Sequence, residues 1–281
     1  MKKIALILAA IFLIGALTGT ITTFAKGKGS ATPKDESGSI IAGGGSSSGG
    51  SSWKPSDSGT AVVIPTSKPT FKNETKNMSL KHTADFTTPY ANGGTGVERG
   101  FVLYCDDGFT YTQGSAGLYV KNLSYMHLGS DGVDTKCDFT FRQYRDYTRK
   151  EQRFAASFSV KGSEDGTLKS EVHVRLDNDT ATADVAQVVV FEDEKIYAVD
   201  RTQGKILIGD MRQTARQISY VVDMTTQIFR LWLDDVYCGE FTLASKQTTD
   251  MTSCQYFGYY IAPYEPNVGK SMTINDIKIY Y

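Results

Sequence analysis

The chain has 281 residues, with 30 lysines and arginines against 31 aspartates and glutamates, and a formal net charge of −1. So even a balance gives no long-range field to gather nucleic acid or an anionic membrane face, and neither is expected as a partner on charge. Tyrosine and phenylalanine are plentiful, at 16 and 14, while tryptophan is scarce, at 2, so the place of each tryptophan carries information.

The first element is apolar. Lys2 and Lys3 precede an uncharged run from Ile4 to Ala25, which Lys26 and Lys28 follow. A basic start, an apolar core and small residues near Ala25 read as a cleavable export signal. The run is also long enough, at roughly 20 residues, to cross a bilayer as an uncleaved anchoring helix. Lys2 and Lys3 would then stay in the cytoplasm. Thr23 is a poor cleavage-site residue and basic residues come straight after Ala25, which tips the balance towards the anchor. On either reading the protein is exported, to the cell surface or outside the cell. The membrane is a partner through residues 4–25 if they stay attached. Residues 26–70 read as a disordered linker, because the glycine–serine stretch 43–52 cannot bury enough apolar surface to offset its ordering entropy. Residues 71–281 are left for one folded domain.

From there the pattern is strand after strand. Residues 117–123 and 154–160 alternate apolar and polar positions. Val172, Val174 and Leu176 fall on one face of a strand, and Glu171, His173 and Arg175 on the other. Residues 185–191 are apolar apart from Gln187, as a strand covered on both sides would be. Residues 195–199 and 205–208 read as a hairpin, and 217–222 with 227–233 as a second. Asp234 and Asp235 turn the chain into 236–243, and 256–261 and 272–280 complete the set. Residues 146–153 allow a turn or two of helix or a polar loop. The expected fold class is all-β, a two-sheet antiparallel sandwich behind an N-terminal apolar helix and a linker.

The four cysteines, Cys105, Cys137, Cys238 and Cys254, permit two disulfides in an exported chain, with three pairings open. Cys238 and Cys254 flank one excursion of the chain and are the favoured pair. No Cys/His cluster has the spacing of a zinc site, so no metal ligand set is expected. Acidic loops at Asp106 and Asp107, 131–134 and 177–179 leave room for a structural calcium without requiring it. No other cofactor is expected.

The strand Phe229 to Leu233, the tight turn at Asp234 and Asp235, and the returning strand to Phe241 resemble the hairpin of concanavalin A-like lectin and laminin-G-like domains. Residues 271–281 resemble the last strand of the same jelly roll. The resemblance covers about residues 76–281 and implies that a glycan would lie across the polar side of the central strands. On that reading Trp232, Arg230, His173, Arg175 and Gln187 are the candidate ligand-binding residues, with Trp232 either a stacking plate or, as is commoner on a sandwich strand, packed against its neighbours. The basic, aromatic stretch 142–149 reads equally as a contact for an anionic glycan or as a solvated edge.

A weaker resemblance points to alginate-lyase-like polysaccharide lyases. Their order is an Arg-x-Glu-x-Arg strand, a Gln-x-His strand and a Tyr-Phe-Lys strand. Here Arg149, Glu151 and Arg153 come first, then Gln187, then Tyr256 and Phe257. β-Elimination needs a neutralised carboxylate, a base and an acid. The resemblance implies Arg149, Arg153 and Gln187 for the first, and Tyr256 and Tyr260 for the others. Val189 stands where that family has His and Gly258 where it has Lys, with His173 on another strand as a partial substitute. The expected function is therefore a surface-tethered carbohydrate-binding module. The alternatives are a polysaccharide lyase with a degenerate site and an adhesion module with no sugar site.

Overall fold

Alternation along the chain resolves into two antiparallel sheets packed face to face. The computed structural model describes residues 68–93, 100–128, 134–144, 151–177, 183–244 and 251–281. Residues 4–25, the linker to residue 67, and Arg149 lie outside the described residues. Among those described, no helix is long and apolar enough to cross a membrane.

The chain begins with a one-turn helix, α1 (Phe71–Glu74), and then runs almost wholly as strands. In order these are β1 (Leu80–Ala84), β2 (Phe101–Cys105), β3 (Phe109–Gly114), β4 (Gly117–Asn122), the short pair β5 (Met126–Leu128) and β6 (Asp134–Lys136), and β7 (Phe139–Gln143). There follow β8 (Arg153–Gly162), β9 (Ser170–Asp177), β10 (Ala183–Glu192), β11 (Lys195–Asp200), β12 (Gly204–Asp210) and β13 (Arg216–Asp223). The last are β14 (Ile228–Leu233), β15 (Val236–Thr242), β16 (Ser253–Ile261) and β17 (Ser271–Tyr280).

The first sheet runs β15-β14-β13-β8-β17-β4-β3, with β1 pairing the C-terminal half of β17. The second runs β12-β11-β10-β9-β16-β7-β2. Inward positions of both are large and apolar. Phe154, Phe158, Tyr220 and Phe229 from the first sheet meet Phe101, Phe139, Phe141 and Phe257 from the second, all fully buried. Full burial of one such ring stabilises by about 1.5–3 kcal/mol, so this layer dominates the fold.

Two hairpin turns of the sandwich are built from acidic residues. Asp193 and Glu194 have φ of 51° and 59°, and Asp234 and Asp235 have 50° and 63°. Positive φ at both central positions gives the twist that a two-residue hairpin needs. Glu192 therefore ends β10, and Asp193 and Glu194 form the turn into β11.

Asp200, at the end of β11, ties the two sheets together. Its carboxylate accepts from the Thr202 hydroxyl and amide at 2.6 and 2.8 Å, the Gln203 amide at 3.0 Å and the Thr242 amide at the end of β15 at 2.7 Å. Burial alone would raise its pKa. These four donors outweigh burial and hold it at about 2.

The expected Cys238–Cys254 disulfide is not formed. Cys238 lies on β15 of the first sheet and Cys254 on β16 of the second, where it is buried in the core. The two cysteines flank one excursion in sequence, but β15 and β16 belong to different sheets.

Candidate functional site

The candidate residues divide between the two outer faces of the sandwich. Arg153, Arg230 and Trp232 lie on the outer face of the first sheet, on β8 and β14. That face is covered. Residues 68–78 cross it as a strap, with Thr70 capping the single turn of α1 through its side chain. Phe71 meets the rings of Trp232 and Tyr280 edge-on at 5.7 and 5.8 Å. The Trp232 indole donates to the Pro69 carbonyl at 2.9 Å. Glu74 takes Arg153 at 2.8 Å and Arg230 at 3.2 Å, and Glu240 takes Arg230 again at 2.8 Å. Trp232 is consequently 1% exposed. It is no stacking plate, and Arg230 serves the strap rather than a ligand. Alternation on β14 does put both residues opposite the core, but the sequence carries no sign that Pro69 to Met78 would lie over them.

The other candidates share the outer face of the second sheet. Glu171, His173 and Arg175 alternate outward along β9 while Val172, Val174 and Leu176 enter the core. Register brings their neighbours alongside. Gln187, His173, Gly258, Arg142 and Val102 form one row across β10, β9, β16, β7 and β2. Val190, Glu171, Tyr260, Thr140 and Tyr104 form the next row, and Val185, Arg175 and Tyr256 the row on the other side.

Gly258 is the pivot of this face. The His173 ring lies over its Cα, so closely that a Cβ there would come within 2.7 Å of the ring's Cδ2. The bare backbone lets the imidazole lie between Tyr256 and Tyr260, with ring centroids 6.3 and 6.2 Å away. Gln187 donates to the Glu171 carboxylate, and His173 Nδ1 is 3.7 Å from Glu171 Oε1. The Arg142 guanidinium leans over the Tyr256 ring at 5.8 Å, and Arg175 pairs with Asp177 at 3.2 Å.

Two hollows open on the same face. One, of about 160 Å³, is bounded by Glu171, Gln187, Tyr260, Lys169, Lys205 and Tyr264. The other, of about 280 Å³, is bounded by Tyr104, Asp138, Thr140 and Arg142. Lys169 and Lys205 share the Glu192 carboxylate, and Lys169 also caps the Tyr264 ring at 4.5 Å. Burial, then the Asp106 carboxylate, raise the pKa of Asp138, while the Tyr260 hydroxyl pulls it the other way. Tyr260 is raised by burial, then by Asp138 and Glu171 on either side of it. Three buried polar atoms on this face, His173 Nδ1, Asp138 Oδ1 and Asp177 Oδ2, have no hydrogen-bond partner among the described residues. A buried polar atom without a partner costs about 1–3 kcal/mol.

The gathering expected of a lyase is met only in part. Gln187, His173, Tyr256 and Tyr260 come together. Arg153 does not, because β8 belongs to the other sheet and Glu74 holds its guanidinium. Tyr104 and Asp138 escaped the sequence reading. The alternation of Phe139, Thr140, Phe141 and Arg142 does mark which side of β7 faces out. The placing of Asp138 beside Tyr260 comes from β7–β16 register, which no local pattern encodes.

No protein-family model matches the chain, and no curated protein matches it. Among solved structures it is similar to a laminarinase from Flavobacterium sp. UMI-01, with a TM-score of 0.48 and 10% identity, over 72% of this chain and 100% of that one. It is similar to arcelin-5, a lectin-like defense protein from Phaseolus vulgaris, with a TM-score of 0.43 and 9% identity, over 72% and 98%. It is also similar to a sialidase, with a TM-score of 0.48 and 8% identity over 72% of this chain, but spans only 18% of that protein's length. Likenesses of this strength assign the chain neither a superfamily nor an activity. One fold of this kind hosts many activities, so chemistry rests on the site itself.

Proposed function

We propose that this protein binds carbohydrate along the outer face of its second sheet, and that residues 4–25 export it and tether it to the cell surface. One observation carries the binding reading. Tyr104 and Tyr260 border two hollows on one sheet face, with Glu171, Gln187 and Tyr264 around one and Asp138, Thr140 and Arg142 around the other. A sugar ring offers an apolar CH face to stack on an aromatic ring and an edge of hydroxyls to hydrogen-bond. Binding is preferred to β-elimination because Arg153 is held in the other sheet by Glu74.

The test uses the full-length chain, in detergent, on a panel of immobilised polysaccharides. Retention on at least one polymer, weakened by Tyr260→Ala and unchanged by Glu240→Gln on the opposite face, is the expected result. Loss of retention in neither variant, or retention of none of the polymers, overturns the reading. Appearance of unsaturated sugar ends during incubation replaces binding with cleavage. Fractionation of the producing cells, with N-terminal sequencing of the mature chain, decides between tether and cleaved signal.

A further inference from the structure

We infer that the ligand of this face is an acidic polysaccharide, and that Arg142 is the residue that takes its carboxylate; the inference rests on the binding reading above. Five arginines lie on described strands. Arg153, Arg175, Arg216 and Arg230 each have a carboxylate within ion-pair distance, from Glu74, Asp177, Asp234, and Glu74 with Glu240. Arg142 has none among the described residues, although it sits mid-face and Asp138 shares its hollow. Its guanidinium carbon lies 5.8 Å from the centroid of the Tyr256 ring. A guanidinium beside an aromatic ring still offers N–H groups, and these match a carboxylate in a two-pronged bond.

Register sets the row of Arg142 and His173 beside the row of Glu171 and Tyr260. A uronate ring has a carboxylate on one edge and hydroxyls on the others. Its carboxylate meets Arg142, and its hydroxyls donate to Glu171 in the next row. A neutral sugar brings no carboxylate to Arg142.

The experiment compares full-length protein on a uronate polymer, on the same polymer after chemical reduction of its carboxyl groups, and on a neutral β-glucan. The expected result is preference for the uronate polymer, falling as salt rises. Arg142→Gln should weaken uronate binding about ten- to a hundredfold, and Arg142→Lys should restore part of it. Reduction of the polymer should remove the difference between wild type and Arg142→Gln. Equal binding of reduced and unreduced polymer, or preference for the neutral glucan, overturns the acidic-ligand inference and leaves the binding reading standing. Unchanged uronate binding by Arg142→Gln overturns the role of Arg142. Retention on none of the three, while the chain keeps its near-ultraviolet circular dichroism, overturns both.

Discussion

Phe71→Ala tests whether the strap over the first sheet is held as the geometry says. The Phe71 ring is half-buried, and full burial of a phenylalanine is worth about 1.5–3 kcal/mol, so roughly half of that is at stake. Its edge-on contacts with Trp232 and Tyr280 add about 0.5–1.5 kcal/mol each. The loss is therefore about 2 kcal/mol or more, against about 1 kcal/mol for the Trp232–Pro69 hydrogen bond. Glu74 bridges two arginines, but both pairs are partly solvated, and each contributes only about 0.2–1 kcal/mol. Phe71 should thus dominate Glu74. The indole N–H of Trp232 exchanges with solvent only when the strap lifts, so its hydrogen-exchange rate reads the open population. A loss of about 2 kcal/mol raises that rate about 30-fold. Glu74→Gln should raise it far less, and amides of β8 and β13 should not change in either variant. An exchange rate in Phe71→Ala within about twofold of wild type refutes the strap's energetics.

Three further outcomes follow from single residues. Gly258→Ala should destabilise the protein by about 1–3 kcal/mol through its clash with His173, and a His173→Ala background should remove most of that loss; equal losses in both backgrounds, by urea denaturation, contradict the packing. Asp200 has a folded pKa of about 2, below the ordinary carboxylate value, so its contribution is present above about pH 4 and is lost as pH falls towards 2. Asp200→Asn should therefore lower stability by about 2 kcal/mol near neutral pH and much less in strong acid; a gap independent of pH rejects the bond network. Burial, reinforced by Asp106, Asp107 and Cys137, pushes the Cys105 thiol up to about 12, so alkylation in mildly alkaline buffer should be slow in the folded protein and fast in urea. Similar rates in both states contradict that environment.

Strand identity was the most legible part of this chain, because a sandwich writes its core face into every second residue. Val172, Val174 and Leu176 announce which side of β9 enters the core, and the β10–β11 and β14–β15 turns are spelled by acidic residues at positive φ. Legibility stopped where meaning depends on what lies across a sheet. His173, Arg175, Gln187, Tyr256 and Tyr260 were all candidates, but their assembly on one face is set by register among β9, β10 and β16. The same alternation placed Arg230 and Trp232 outside the core, and there it misled. A residue that leaves the core of a sandwich is not thereby exposed, since a segment distant in sequence can close over it. The cysteine pair failed for a related reason: nearness along the chain says nothing about which sheet each end joins.

The two outer faces carry similar residues and differ in what lies over them. Both offer aromatic rings beside guanidinium groups. On the first sheet Phe71 supplies the ring and Glu74 the carboxylate that Trp232, Arg153 and Arg230 would otherwise present to solvent. The strap thus satisfies that face from within the chain, and it leaves no described charge on Arg153 or Arg230 unmatched. On the second sheet the rings of Tyr104 and Tyr260 border open hollows, and Arg142 has no carboxylate partner among the described residues. The covered face shows what chemistry such a surface accepts: an apolar ring and a carboxylate a short distance apart. The open face makes the same demand, and a polymer of acidic sugars meets it repeatedly along its length.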